Sequence, residues 1–301
     1  MTSQIISAAI PALGMLFLIL DSHQAVISAT AAIELCLRTV IPSLFPFMFL
    51  SAWLRGSGKG NWMLSVFLGG YPVGAQAIGS SGMDRSAANR LLAWCSQAGP
   101  SFIFGIAASQ FPGLRYGWYL WAIQILSALS VGWIFSGLHG MTTAFSQKGM
   151  DLSSAMQASL RAMASVCGWV VIFRVILGFL HRWVFFFLPN WASLFLSGML
   201  ELTNGCFMLN QVDNVEIRFL MCLIFLNFGG VCVILQTISV AGGLDIRYYL
   251  AGKVLQTGFA LMYGWLFLGH WEMMLPLIPL WCGILLGKTR KNSSIPVRVG
   301  V

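Results

Sequence analysis

Several helix-breaking residues interrupt an apolar run that is long enough to cross a membrane. Residues 69–76 read Gly-Gly-Tyr-Pro-Val-Gly-Ala-Gln and lie within the apolar stretch 62–78. Backbone N–H and C=O groups that Gly and Pro free from a helix cannot face hydrocarbon, so they must be buried in protein or line a watery cavity. The interruption therefore predicts a solute-binding site, and its candidate residues are Gly70, Pro72, Gly74 and Gln76.

A second interruption follows at residues 96–101, which read Ser-Gln-Ala-Gly-Pro-Ser. Helix N-termini freed at the two interruptions would direct unpaired N–H groups and partial positive charge towards a carboxylate. The candidate binding residues here are Ser96, Gln97 and Ser101, and Gln236 joins them from a later glycine-interrupted run. The alternative is that the glycines only allow close helix packing and that the glutamines only bond neighbouring helices.

Ionisable residues inside apolar runs are costly, so each is a functional hypothesis. Arg38 lies four residues before Pro42, and it can meet an anion, bond carbonyls freed by the proline, or extend to the membrane interface. Glu201 is a candidate proton-coupling carboxylate, or simply the partner of an arginine.

Motifs for catalysis or metal binding are missing from the sequence. It contains no HExxH, GxSxG or Walker motif and no histidine cluster, and the seven cysteines are scattered singly through apolar stretches. We therefore predict no enzymatic activity, no catalytic residues, no metal and no cofactor. In an apolar chain of this kind, a net charge of +8 reflects the orientation of the protein in the membrane and its contacts with lipids. No motif indicates a nucleic-acid partner.

The composition indicates an all-α polytopic membrane protein. Of 301 residues, 58% are hydrophobic and 9% charged, and apolar runs of membrane-spanning length recur along the chain. We predict about eight transmembrane helices and two broken or re-entrant helical hairpins. The predicted helices are 5–20, 28–54, 86–110, 116–138, 154–180, 183–209, 247–268 and 273–286, and the predicted hairpins are 62–79 and 217–241.

The distribution of Lys and Arg orients this layout. With the N-terminus inside and both hairpins re-entrant, most Lys and Arg residues, including Arg218 and Lys253, fall on the inner side. Only Arg115 and Arg182 fall on the outer side, which agrees with the tendency of cytoplasmic loops to be basic. If the hairpins span the membrane instead, the partition becomes much more even.

Two pairs of similar segments in the sequence suggest an internal, inverted repeat. Residues 37–43 resemble 160–166, and 69–76 resemble 229–236. We predict a single transmembrane domain over 1–287, with repeat 1 at about 28–138 and repeat 2 at about 154–287, followed by a basic tail at 288–301. Paired interrupted helices are typical of secondary transporters, whose solute lies where the broken helices meet.

Five motifs occur in the order found in a known family, and they resemble the sporulation integral membrane proteins of the YlbJ type. These belong to the nucleoside-recognition, or Gate, group. The motifs, in order, are PSLFPF at 42–47, GYPVGA at 70–75, SQAGPSFIFG at 96–105, GMLELTNG at 198–205 and AGGLDIRY at 241–248.

The resemblance implies a stage V sporulation role and transport of dipicolinic acid through the mother-cell or forespore membrane of a bacterium. The partners it implies are a small anionic solute, membrane lipids and other sporulation membrane proteins. Two alternatives remain open: a transporter of nucleoside-type solutes, and a non-transporting membrane scaffold of the sporulation machinery.

Overall fold

The computed structural model describes residues 2–56, 67–79, 81–135 and 151–269, and this part of the chain is helical without any β-strand. The all-α prediction is confirmed. The α-helices of the described residues are α1 (Thr2–Leu20), α2 (Ser22–Leu35), α3 (Ile41–Gly56), α4 (Val73–Gly79), α5 (Arg85–Cys95), α6 (Pro100–Phe102), α7 (Arg115–Ile134), α8 (Leu152–Trp183), α9 (Asn190–Leu200), α10 (Leu202–Met208), α11 (Val215–Phe228), α12 (Gly230–Val240) and α13 (Ile246–Phe267).

Five segments are long and apolar enough to cross a membrane, and several of them combine consecutive helices. They are Ser22–Leu54, Arg85–Gln110, Arg115–Ile134, Leu152–Trp183 and Val215–Val240. A shorter apolar helix covers Pro11–Leu20. The predicted span 273–286, the tail 288–301 and residues 62–66 of the first hairpin lie outside the described residues, so the count of about eight spans stays a prediction.

The first span contains a π-helical turn, Cys36–Val40, between α2 and α3. Proline lacks the N–H that would continue the helical ladder, and the turn ends two residues before Pro42. The Ser43 hydroxyl donates to the carbonyls of Thr39 at 2.7 Å and Val40 at 3.2 Å. A serine hydroxyl therefore bonds the carbonyls at this turn, which is one of the roles that the sequence offered for Arg38.

Contacts between helix ends identify one end of the bundle. Arg182, at the end of α8, pairs with Asp21, just before α2, at 3.3 Å. A polar cavity at this end is lined by Gln24 from α2, His181 from α8 and Gln211, which follows α10. The helix pair α9–α10 therefore starts at the end of the bundle where α8 finishes and returns to that same end. We call it the Asp21 end.

Arg218, in the first turn of α11, also belongs to the Asp21 end. Its guanidinium donates to the carbonyl of Val212 and to the carbonyl of Gln110, each at 2.8 Å. The span Arg85–Gln110 thus finishes where α11 begins.

At the opposite end of the bundle, the end of α4 contacts the turn that follows α12. Arg85 Nη2 donates to the carbonyl of Gly243 at 2.5 Å. Gly79 packs so closely on this turn that a Cβ there would lie 2.9 Å from the carbonyl carbon of Ala241. We call this the Gly79 end.

These contacts correct two of the predicted elements. Residues 217–241 were expected to be re-entrant, but α11 starts at the Asp21 end and α12 finishes at the Gly79 end, so this hairpin prediction is wrong. Residues 183–209 were expected to cross, but α9 and α10 form a hairpin that returns. Its arms touch through backbone, because a Cβ on Gly205 would collide with the Cα of Gly198.

The same contacts correct the charge partition. Arg218 lies at the Asp21 end with Arg182, so the predicted common side for Arg218 and the residues near Gly243 is wrong. Lys253 is fully buried within α13 and belongs to neither end.

Small residues bring α13 into the middle of the bundle. A Cβ on Gly252 would collide with the carbonyl of Ala93 in α5, so only glycine allows this approach. Helix α13 also packs on α7 and α11. Lipid tails are as apolar as the side chains, so the hydrophobic effect does not drive helices together inside a bilayer. Close packing and polar contacts hold them together instead.

Candidate solute-binding site

The first two interruptions of the chain pack directly on each other. Gly70 has φ of 73°, and a Cβ there would lie 2.9 Å from the backbone nitrogen of Gly99. Gly99 lies at the end of residues 96–99, which are not helical and separate α5 from α6. Both glycines are therefore required by the backbone contact between the two breaks, and Gly70 also by its left-handed conformation.

A third interruption separates the arms of the α9–α10 hairpin at Glu201, which has an extended backbone with φ of −139° and ψ of 113°. Its carboxylate is buried and accepts hydrogen bonds from the backbone N–H groups of Thr203 at 2.8 Å and Asn204 at 2.6 Å. The carboxylate therefore caps α10, and both its oxygens are occupied by the helix start. Arg174 acts on it electrostatically without a contact that qualifies as an ion pair in the described residues.

A fourth interruption, at Gly229 and Gly230, joins the other three. Both residues have positive φ, 86° and 76°. A Cβ on Gly229 would lie 3.3 Å from the Tyr71 hydroxyl, and one on Gly230 would lie 3.2 Å from the Met199 carbonyl. The Tyr71 hydroxyl in turn donates to the carbonyl of Leu226 at 3.2 Å. The four breaks thus converge on one region of the bundle.

The space between these breaks is a cavity of about 40 Å³, which we call the central cavity. Its polar lining comes from Tyr71, Glu201, Thr203 and Gln236, and Gly99 exposes backbone to it. Apolar side chains of α3, α8 and α12 complete the wall. This volume holds roughly one to three water molecules, so an aromatic solute needs a more open conformation.

Beside the central cavity lies a fully buried lysine. Lys253 Nζ donates to the Tyr71 hydroxyl at 2.9 Å, to Gln256 Oε1 at 3.1 Å and to the carbonyl of Ser96. It also lies 4.9 Å from the ring centroid of Tyr71 and 5.7 Å from that of Tyr249. Three acceptors match the three N–H donors of an ammonium group, and the two aromatic rings add cation–π attraction. The ammonium group therefore connects α13 to the first two breaks.

Amide side chains extend this network across the bundle. Gln97 and Gln256 exchange hydrogen bonds of 3.1 and 2.5 Å through their amide groups. Gln256 Nε2 also donates to Asn227 Oδ1 at 2.9 Å, and the Ser127 hydroxyl donates to the same oxygen at 3.0 Å. Gln124 Nε2 donates to the carbonyl of Ala98 in the second break at 2.7 Å. The non-helical backbone is thus bonded by buried side chains of α7, α11 and α13.

Some hydroxyl groups near the breaks have unused bonding capacity. The hydroxyls of Ser96 and Thr237 both lie beside the buried Tyr249 hydroxyl, and no hydrogen bond of ordinary geometry joins them to it within the described residues. The Ser101 hydroxyl is also buried there without a partner. A buried polar group without a partner is costly, so these hydroxyls can accommodate water or a solute.

The predicted site residues separate into three groups. Gln236 and Glu201 line the central cavity, and Gly70 packs against its wall. Ser96 and Gln97 belong to the buried network, and Ser101 is buried close by along the chain. The others stand apart: Pro72 follows Tyr71 through a cis peptide bond, and Gly74 and Gln76 lie in α4 without lining this cavity.

Arg38 lies apart from the central cavity. Its side chain is 79% exposed and pairs at 3.1 Å with Glu34, one turn earlier in the same helix. The structure therefore does not bring Arg38 together with the other candidate residues, and a role in binding stays a prediction.

The residues that organise the network, above all Lys253, are not among the candidates predicted from the sequence. A signal was present, because Tyr249, Lys253 and Gln256 recur at helical spacing and place one polar stripe on α13. Gln124 and Ser127 form a shorter stripe on α7. The charge partition instead placed Lys253 among the basic residues of the inner side, apart from this polar stripe.

No group of three His, Cys, Asp or Glu side chains comes together as a metal site in the part of the chain that the structure describes. The six cysteines within the described ranges are free thiols, five of them buried. The polar groups of the site are therefore amides, hydroxyls, Glu201 and Lys253.

No protein-family model and no solved structure matches the chain. The chain is similar to the sporulation integral membrane protein YlbJ of Bacillus subtilis (strain 168). The two are 24% identical over 298 residues, which cover 75% of this chain and 73% of that protein. Together with the five apolar spans, this similarity shows an integral membrane protein.

Proposed function

We propose that the protein is a secondary transporter that moves a small organic anion, dipicolinic acid, through the mother-cell or forespore membrane during spore formation. The similarity to YlbJ supports the role in sporulation, and the resemblance to the YlbJ type, which implies dipicolinate transport, supports the solute. The observation that supports transport is the convergence of four backbone breaks on one cavity that has four polar side chains in its lining. Broken helices meeting in this way form the solute sites of many transporters.

We also propose that the two halves of the bundle are inverted repeats. A long span, a broken span and a further helix follow one another in each half: Ser22–Leu54, Arg85–Gln110 and α7 in the first, and α8, Val215–Val240 and α13 in the second. The two broken spans run in opposite directions between the Gly79 and Asp21 ends. In this register the predicted hairpin 62–79 corresponds to α9–α10, and we expect it to be re-entrant from the Gly79 end.

Buried polar groups at the breaks favour transport over a purely structural role. A scaffold is stabilised by continuous helices, and each break adds backbone groups that must be bonded inside the membrane. Here the side chains of Lys253, Gln124 and Glu201 bond them, and several hydroxyl groups remain available. This arrangement holds irregular backbone beside a cavity, as binding of a solute requires.

Glu201 gives the proposal a coupling step. An anion that enters the central cavity meets the Glu201 carboxylate, and two negative charges in a low-dielectric site repel each other strongly. Protonation of Glu201 removes the repulsion, so the carboxylate takes up a proton as the anion enters and releases it as the anion leaves. The transport cycle then moves anion and proton together, without ATP.

The proposal is tested by uptake into lipid vesicles that contain the purified protein. Labelled dipicolinate should enter protein-containing vesicles faster than empty ones, and an inward proton gradient should accelerate entry. Labelled uridine, in parallel vesicles, tests the nucleoside alternative.

A glycine variant tests whether uptake depends on the contact between the backbone breaks. Gly70→Ala forces a Cβ into the Gly99 backbone at a positive φ and should abolish uptake. The matched control is Gly168→Ala, because a Cβ at Gly168 has no neighbour within 4 Å. If correctly inserted wild-type protein moves neither dipicolinate nor uridine, the transporter proposal fails and a scaffold role replaces it.

A further inference from the structure

A second cavity, larger and more polar than the central one, opens at the Asp21 end. Its volume is about 500 Å³, within the range of small-molecule sites. The ends of α2, α8 and α10 surround it, and its lining includes Gln24, Arg174, His181, Asn204 and Phe207. We call this cavity the vestibule.

Arg174 is the charged group of the vestibule lining, and the buried Glu201 carboxylate acts on it electrostatically without forming an ion pair. Within the described residues Arg174 makes no ion pair and no hydrogen bond. The carboxylates around it are occupied: Glu201 caps α10, and Asp21 pairs with Arg182. A half-buried guanidinium with five free N–H donors suits a carboxylate, which it can bind through two parallel hydrogen bonds.

The remaining lining suits an aromatic acid. Gln24 and Asn204 supply amide N–H groups for a second carboxylate, and Phe207 and His181 supply aromatic surface. The His181 ring is held in place by the Ser197 hydroxyl, 3.0 Å from Nε2. Positive charge, amides and aromatic faces thus surround one volume.

One turn of the chain separates the vestibule from the central cavity. Asn204 lines the vestibule, whereas Glu201 and Thr203 line the central cavity. The two hydrogen bonds from the Glu201 carboxylate to the backbone of Thr203 and Asn204 hold this wall together. A change at Glu201 therefore acts on both cavities.

We infer that the vestibule is an entrance site for an aromatic dicarboxylate, with Arg174 as the residue that binds a carboxylate group. This inference rests on the proposed transport function and adds a second binding site to it. The solute binds first at Arg174, where there is room for a ring, and passes the Glu201 turn when the breaks rearrange. Arg174 thereby takes the anion-recognition role that the sequence suggested for Arg38.

The test is dipicolinate binding to the purified full chain, measured by isothermal titration calorimetry in detergent, together with vesicle uptake. Arg174→Gln should weaken binding by about tenfold or more, because a charge-assisted bidentate contact is lost. Arg174→Lys should retain part of the affinity. Arg161→Gln is the matched control, since it removes an exposed cation from the same helix, away from the vestibule lining, and it should change affinity less than about twofold.

A second variant keeps Arg174 intact. Asn210 is exposed at the vestibule, and Asn210→Asp adds a negative charge there without disturbing packing. It should weaken dipicolinate binding several-fold at low salt and less at high salt, as screened repulsion requires.

The outcomes separate the two proposals. If wild type binds and transports dipicolinate, and Arg174→Gln and Asn210→Asp both do so equally well, the vestibule inference is overturned while the transport proposal stands. If wild type neither binds nor transports dipicolinate, both are overturned.

Discussion

The buried ammonium group of Lys253 allows a quantitative test of the network that holds the breaks together. Tyr71→Phe removes the hydroxyl that accepts from Lys253 and donates to the carbonyl of Leu226. Lys253→Met replaces the cation with an apolar side chain of similar length. Because the two side chains are bonded to each other, their effects on stability should not add.

The expected magnitudes follow from the contacts. A hydrogen bond to a charged group contributes about 1.5–3 kcal/mol and a neutral one about 0.5–1.5 kcal/mol, so Tyr71→Phe should cost roughly 2–4 kcal/mol. In the Lys253→Met background only the bond to Leu226 is lost, and the cost should fall to about 1 kcal/mol. The coupling energy is then about 1.5 kcal/mol or more, at the upper limit for polar contacts within membranes.

Lys253→Met alone should have a small effect. Removing the ammonium leaves the carbonyl of Ser96 and the amide oxygen of Gln256 with one bond fewer. It also removes the cost of burying a charge, which is several kcal/mol. These contributions oppose each other, so the variant should stay within about 2 kcal/mol of wild type.

The assay is equilibrium unfolding of wild type, both single variants and the double variant in mixed dodecyl maltoside and SDS micelles, followed by far-UV circular dichroism. Arg161→Met serves as control, because it removes an exposed cation from a spanning helix and should not couple to Tyr71→Phe. Equal costs of Tyr71→Phe with and without Lys253 would refute the reasoning, since the ammonium would then not depend on Tyr71.

Three further predictions follow from the site and the topology. Gln236→Leu should lower dipicolinate affinity several-fold with little change in stability, measured by calorimetry and thermal unfolding, because it removes one polar group from the cavity wall. Glu201→Gln should destabilise the protein by about 1–3 kcal/mol in micelle unfolding, since an amide nitrogen replaces one of two oxygens that accept backbone N–H groups. It should also make vesicle uptake independent of the proton gradient, and retained proton dependence would exclude Glu201 as the coupling group. Asp213→Cys and Arg247→Cys, both at exposed positions, should react with a membrane-impermeant maleimide from opposite faces. Labelling from one face would restore the re-entrant assignment of residues 217–241.

Local features of the sequence determined the membrane setting and the existence of the breaks. Apolar runs of spanning length require helices, because a bilayer leaves no other partner for the backbone of a single segment. Glycine and proline at residues 69–76 and 96–101 interrupt those helices wherever they are packed, so both breaks could be predicted.

The path of the chain through the bundle was decided by tertiary contacts. Both 183–209 and 217–241 contain an interruption, yet the first returns and the second continues across. In the first, Gly198 and Gly205 let the two arms pack on each other; in the second, Gly229 and Gly230 bend the chain while Arg218 and the turn at Gly243 hold opposite ends. Both stretches are apolar, and their tertiary partners decide which of them returns.

The site was likewise only half determined by the sequence. Residue types marked Gln97 and Gln236 as polar groups beside breaks and Glu201 as an ionisable group inside an apolar run. Two partners of Lys253, however, lie 157 and 182 residues away along the chain. Whether a lysine in an apolar run reaches an interface or is buried depends on the acceptors that folding brings to it. Those acceptors are the carbonyl at one break and the tyrosine at another, and they come together only when the helices pack.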